Sequence, residues 1–262
     1  MFALLLSPLA ASPPPDCTAL VPKPVDVYPI RSPQAVHSLL ASMFAGKNVV
    51  EIGTRHGDGM DCFAQVAHRA TAIEVDRSYC TKLVHRRGVL RTTGRGDFNV
   101  TCKPFQRAHD ADFARVDYVT WWLGGLMMNA MVLKHLTSER LRPLLNPDAE
   151  AVVLHDIRTG IDNVSFEVLR PAASWIREVS VPRHECSLCL RAVAQGQMRV
   201  DKWQSCGRAT GSVTVMGFRL AEPRLREVLA TVGNVKRLAG EETANWPHTC
   251  HPEADSSASA LR

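Results

Sequence analysis

Between residues 48 and 155 short apolar segments alternate with amphipathic ones, and this alternation restricts the fold more than any other feature of the chain. Residues 48–53, 71–76, 116–123 and 151–155 are runs of strand length rich in Val, Ile, Trp and Ala. Helical spacing over 60–68, 78–87 and 126–145 separates them, and Asn146 with Pro147 closes the last of these helices. Apolar strands that alternate with helices require a parallel sheet covered on both faces. Upstream, Ser32 and Pro33 supply an N-cap and a first helical residue, and Val36, Leu39, Leu40 and Met43 form an apolar stripe that ends at Gly46. Downstream, 164–178 reads as a helix kinked near Pro171, 212–220 as an antiparallel strand near the sheet edge, and 225–238 as a terminal helix. The expected architecture is a seven-stranded, mostly parallel α/β sheet in one domain over 31–240. A proline-rich leader covers 1–30, a Cys-containing irregular insertion spans about 184–208, and 241–262 is an irregular to disordered tail.

At 262 residues and 45% hydrophobic, the chain has enough apolar side chains for one substantial core. The net charge of +5 is spread along the sequence, so nucleic acid is permitted as a partner but not indicated. No apolar run is long enough to span a bilayer. Residues 1–12 resemble a short signal core, yet they lack a positive n-region and contain Pro8; they read as a loose leader, and the expected compartment is cytoplasmic. Cys62 and Cys80 fall inside apolar patterns and are expected to be buried free thiols in a reducing compartment. His184, Cys186, Cys189 and Cys206 form a weak zinc pattern with competing partners in His248, Cys250 and His251, so no metal site is expected.

The chemistry concentrates in the segment VVEIGTRHGDG at 49–59, which leaves one strand and opens a helix. Gly53 and Gly57 let the backbone turn tightly, with Thr54 between them, and Glu51 precedes the turn. A pyrophosphate needs glycines in the G-x-G-x-x-G spacing and no negative charge nearby; here the glycines stand at 53, 57 and 59, and Glu51 has the wrong sign. A carboxylate there suits a ligand with a positively charged end. About twenty residues on, the next strand ends in AIEVD, where Glu74, with Asp76 in reserve, can accept hydrogen bonds from ribose hydroxyls.

Glu51-Ile52-Gly53 with Gly57, followed by Glu74 at the next strand end, resembles the class I, Rossmann-like S-adenosylmethionine-dependent methyltransferases. The small-molecule O-methyltransferases, with their E-I-G-T-x-x-G loop, are the nearest type. The resemblance implies S-adenosyl-L-methionine as cofactor, Glu51 and the Gly53 to Gly57 turn at its methionine end, and Glu74 at its ribose. It implies methyl transfer to an acceptor expected to be a small molecule. Metal-dependent members carry an Asp at the end of the fourth strand. Here Trp121 and Trp122 fill that region, so no magnesium site of that kind is expected. The two tryptophans are candidates for an acceptor pocket, with core packing expected for at least one of them. His155 and Asp156 end the fifth strand on the same sheet edge, His155 as a candidate base and Asp156 to orient it. Two other classes use the same framework: a nicotinamide-dependent oxidoreductase and a non-catalytic protein of methyltransferase fold.

Overall fold

The computed structural model describes residues 15–21, 34–122, 125–155, 163–181 and 211–232. In chain order its elements are α1 (Cys17–Leu20), α2 (Gln34–Phe44), β1 (Asn48–Ile52), α3 (Asp58–Phe63), β2 (Arg69–Ile73), α4 (Arg77–Thr92), β3 (Asn99–Thr101), α5 (Asp110–Phe113), β4 (Tyr118–Trp121), α6 (Leu126–Leu136), β5 (Glu150–His155), α7 (Asn163–Leu169), β6 (Trp175–Val181), β7 (Gly211–Arg219) and α8 (Pro223–Thr231). The sheet has seven strands in the order β3-β2-β1-β4-β5-β7-β6. Strands β1 to β5 run parallel, and β7 lies antiparallel between β5 and β6, one place in from the edge. This is the doubly wound α/β arrangement that the alternating pattern predicts.

Alternate strand residues feed two apolar layers. Val50, Ile52, Val119, Trp121, Ala151 and Val153 face α6 and α8, where Leu126, Leu133, Leu225 and Leu229 cover them. Val49, Ala70, Ala72, Val152 and Leu154 face the other way, against Phe44 of α2, Met60 and Phe63 of α3, and Leu83 and Leu90 of α4. Parallel strands buried on both faces cannot alternate polar with apolar, which is why their sequences read as continuous apolar runs.

Three expectations are corrected. The segment 164–178 is not one kinked helix: α7 stops at Leu169, Arg170–Ala172 makes a 3-10 turn around Pro171, and β6 begins at Trp175. Proline lacks the N–H that would continue the helix, and Trp175 is anchored by its Nε1 donating to Glu150 (3.0 Å) while its ring covers Gly217. Helix α6 ends at Leu136 rather than 145, because the hydroxyls of Thr137 and Ser138 donate to Leu133 and His135 carbonyls and close it early. Cys62 and Cys80 are not free thiols: Cys17–Cys62 and Cys80–Cys102 are disulfides. The first ties α1 to α3, and the second ties the first turn of α4 to the chain leaving β3. Their partners lie 45 and 22 residues away, a separation that local pattern does not encode.

Among the described residues no helix is long and apolar enough to cross a membrane, and no cluster of three or more His, Cys, Asp or Glu side chains is placed to hold a metal ion. The zinc-pattern residues His184, Cys186, Cys189, Cys206, His248, Cys250 and His251 lie outside the described residues.

Candidate functional site

The order β2-β1-β4 puts the chain reversal of the sheet beside β1, and a doubly wound sheet opens its crevice at the carboxyl ends of the strands at that place. The ladder runs one residue past both strands, with Gly53 N–H donating to Ile73 O (2.8 Å) and Glu74 N–H to Thr101 O (3.0 Å). The chain then turns sharply. Gly53 and Gly57 take φ values of 73° and 82°, in the left-handed region open to glycine. A Cβ on Gly57 would stand 2.6 Å from Leu83 Cδ2, so the turn lies pressed onto α4. Arg55, between the two glycines, also has a positive φ of 51°, a conformation that costs an L side chain about 1 kcal/mol.

Glu74 holds that strained residue in place. Its carboxylate, 4% exposed, accepts from the N–H groups of Arg55 (2.8 Å, at Oε2), Val75 (2.8 Å) and Asp76 (2.9 Å, both at Oε1). A carboxylate has about four acceptor positions, so one remains, on Oε2. Val75 beside it is 66% exposed, an apolar side chain at the mouth of the crevice. Asp76 turns the other way: its Oδ1 caps α4, accepting from Ser78 N (2.7 Å), Tyr79 N (3.1 Å) and Ser78 Oγ (2.6 Å). Those hydrogen bonds, the Ser78 hydroxyl first, hold its carboxyl below the usual aspartate range.

Glu51 is half-buried and pairs in register with Ala72. Val49, Ala70 and Ala72 belong to one apolar layer, and Glu51 and Glu74 continue that alternation, so both carboxylates share one face at adjacent strand ends. Gly59 of α3 lies behind Glu51. A Cβ there would be 3.0 Å from Glu51 Oε1 and 3.0 Å from His37 Nε2. Burial pushes the His37 imidazole down to about 4, against the attraction of Asp58 and with help from Arg86.

Beneath the turn, Asp58 and Asp61 open α3 and are bridged by Arg86, whose Nη1 reaches Asp58 Oδ1 at 2.7 Å and whose Nε reaches Asp61 Oδ2 at 3.1 Å. The same guanidinium donates to His56 O at 2.7 Å and so ties the turn to α4. With Arg95 also 3.8 Å from Asp61, the two carboxylates of this first turn are offset by guanidinium groups. On the rim, Arg55 and Lys82 lie against the Tyr79 ring, 5.4 and 5.2 Å from its centroid, with His56 edge-on at 5.0 Å. Partial burial, then Lys82 and Arg55, lower the affinity of His56 for a proton.

Trp121 is a core residue, 1% exposed, its Nε1 donating to Asn129 Oδ1 (2.9 Å), which in turn donates through Nδ2 to Ser165 Oγ (2.7 Å). Trp122 is half-buried on the opposite layer. Core packing of at least one tryptophan therefore holds, for Trp121. Thr54 is buried, and its hydroxyl donates to Glu51 O (3.1 Å) inside the turn. His155 closes β5 opposite Thr214 of β7, and Asp156 lies outside the described residues. A shallow cleft lined by Arg142, Leu145, Asn146, Pro147, Leu220 and Ala221 sits at the amino edge of β5, remote from these groups. Sequence reasoning missed His37, the close approach of Gly59 to Glu51 and the Arg86 bridge, since each becomes visible only when α2, α3 and α4 pack around the turn.

No protein-family model matches this chain and no curated protein matches it. Among solved structures it is similar to an RNA methyltransferase from Salinibacter ruber in complex with S-adenosyl-L-homocysteine, at 15% identity over 74% of this chain and 95% of that one, with a TM-score of 0.46. It is similar also to a precorrin 8w decarboxylase of Methanobacterium thermoautotrophicum (16% identity, 70% and 88% covered, TM-score 0.45). A third is a precorrin-6y C5,15-methyltransferase from Geobacter metallireducens (12% identity, 70% and 87% covered, TM-score 0.45).

Proposed function

We propose that the chain is an S-adenosyl-L-methionine-dependent methyltransferase acting on a small-molecule acceptor. One observation carries the reading: Glu51 and Glu74 share a face at adjacent strand ends, and the left-handed glycine turn that follows Glu51 is held to Glu74 through the Arg55 N–H. When bound, this cofactor supplies an electrophilic methyl group on a cationic sulfur. Glu51 fits its ammonium end, the remaining acceptor position of Glu74 fits a ribose hydroxyl, and exposed Val75 fits the flat face of a base. Gly53, Thr54 and Gly57 shape the turn that these contacts need, while Asp76 serves by capping α4.

In this reading Trp122 borders the acceptor and Trp121 supports it from the core through Asn129. His155 takes the proton released by the acceptor, and Asp156 orients it. The sequence after β4, Trp122 to Gly125, contains no carboxylate suited to a hard cation, which favours rate enhancement by placing the two reactants in line and excluding water. Two disulfides favour an oxidising compartment over the reducing one expected from the cysteine pattern.

Calorimetry with S-adenosylhomocysteine and with NADH tests the reading. Binding of the first and not the second is expected, with loss of binding in Gly53→Val, whose φ of 73° a β-branched residue resists. Tighter binding of NADH, or no binding of either, defeats it.

A further inference from the structure

The backbone of Glu74 meets the Cys80–Cys102 disulfide from both sides. Its N–H donates to Thr101 O at 3.0 Å, and Cys102 is the next residue along the chain. Its carbonyl oxygen lies 3.4 Å from Cys80 Sγ, a packing contact, since a bonded sulfur carries no hydrogen to donate. A path from Glu74 through Thr101, Cys102 and Cys80 therefore returns to Glu74, and the bond between the two sulfurs closes it.

The strand on one side of this ring is slight. β3 is three residues long, pairs with β2 alone and forms the edge of the sheet; beyond it the Thr101 hydroxyl donates to Asp112 Oδ2 of α5 at 3.0 Å. On the other side Cys80 is buried in the first turn of α4, its N–H donating to Asp76 O at 2.9 Å. A covalent tie fixes this turn against the end of the strand, and Glu74 is the residue between them. An edge strand so short opens locally at small cost once such a tie is cut. Glu74 is also the group that holds the Arg55 N–H and keeps an acceptor position for a ligand, so what loosens its backbone loosens the ligand contact.

We propose that Cys80 and Cys102 are positioning residues: their bond sets the Glu74 carboxylate for the ribose hydroxyls of the nucleoside cofactor, and a dithiol reductant, by opening it, turns that selection off. The inference rests on the reading of Glu74 given above and adds its regulation. Cys102 is exposed and Cys80 buried, so a thiolate of the reductant attacks the Cys102 sulfur; the S–S bond breaks, and Cys80 leaves as a thiolate that takes a proton. The second thiol of the reductant closes on the mixed disulfide and releases Cys102 as a thiol. Two electrons and two protons pass from the dithiol, which becomes a cyclic disulfide.

The test measures ribose preference on the full chain by calorimetry with two probes, S-adenosylhomocysteine and its 2′,3′-dideoxy analogue, which lacks both hydroxyls. Wild-type protein is expected to prefer the first by about tenfold or more. Cys102→Ser leaves the Cys80 thiol in place and mimics the reduced chain; measured where circular dichroism shows it folded, its preference is expected to fall to within about twofold. Cys17→Ser opens the other disulfide and is expected to keep the wild-type preference. An undiminished preference in Cys102→Ser, or an equal loss in both variants, overturns the assignment. If Cys102→Ser does not fold, wild type opened with dithiothreitol, with the free Cys80 and Cys102 thiols identified by alkylation and mass spectrometry, must lose the preference and regain it on reoxidation. Wild type that binds neither probe refutes the cofactor reading itself. Wild type that binds both equally refutes the role of Glu74, and this assignment with it.

Discussion

Replacing Gly59 by alanine separates the stability of the fold from the shape of the site. Gly59 lies in α3, where exchanging glycine for alanine favours the helix by up to about 1 kcal/mol. The new Cβ would stand 3.0 Å from Glu51 Oε1, 3.0 Å from His37 Nε2 and 3.2 Å from His37 Cδ2, each a few tenths of an ångström too close. The His37 ring is held between Phe63 and Gln34, whereas Glu51 is half-buried with a flexible side chain, so the carboxylate is the group that moves. Propensity gain and local strain are of similar size, and urea unfolding is expected to place the variant within about 1 kcal/mol of wild type. A charged hydrogen bond forced out of line forfeits roughly 1.5 to 3 kcal/mol, which corresponds to about ten- to a hundredfold weaker S-adenosylhomocysteine in calorimetry. A well-folded variant with wild-type affinity refutes the placement of the amino-acid end at Glu51. A loss of stability above about 3 kcal/mol shows instead that the imidazole is what gave way.

Trp121→Phe leaves Asn129 Oδ1 without its donor in the core and should lower unfolding stability by about 1 to 3 kcal/mol, an effect to be read by urea titration. Opening Cys80–Cys102 with Cys102→Ser frees a loop of 22 residues, and the melting temperature should fall by the equivalent of roughly 3 kcal/mol in the chain-entropy account; an unchanged value would mean the two sulfurs are not bonded in solution. His37 binds its proton near pH 4 when folded and near 6.5 when unfolded, so between those values the unfolded chain carries the extra proton and acid favours it. The full contribution is present above pH 6.5 and is lost on acidification toward pH 4. It amounts to roughly 3 kcal/mol, and His37→Phe should flatten that part of the stability profile.

The elements legible in the sequence are those whose reasons are local. β1, β2, β4 and β5 announce themselves as apolar runs, and the glycines at 53 and 57 mark a turn because no other residue takes a left-handed φ so cheaply. Glu51 and Glu74 are readable as strand-end carboxylates, and parallel register then puts them on one face. What escaped depends on distant partners. By its local pattern 164–178 reads as one kinked helix, and only pairing with β7 makes Trp175 to Val181 a strand. The disulfide partners, the imidazole behind Glu51 and the Arg86 bridge all join elements whose spacing in the chain says nothing of their spacing in space. Asp76 shows the converse: a cap for α4 and a ligand for ribose have the same local signature, an acid after a strand and before a helix.

The place of β7 has a consequence for biosynthesis. It fills the gap between β5 and β6, yet it emerges from the ribosome after both. Until residue 219 is made, β5 presents a bare row of amide and carbonyl groups along one side, and β6 has no neighbour to join. The nascent protein thus carries an open seam from the completion of β5 at residue 155 until β7 is made, and any message truncated between those points yields a product whose sheet ends on an aggregation-prone border.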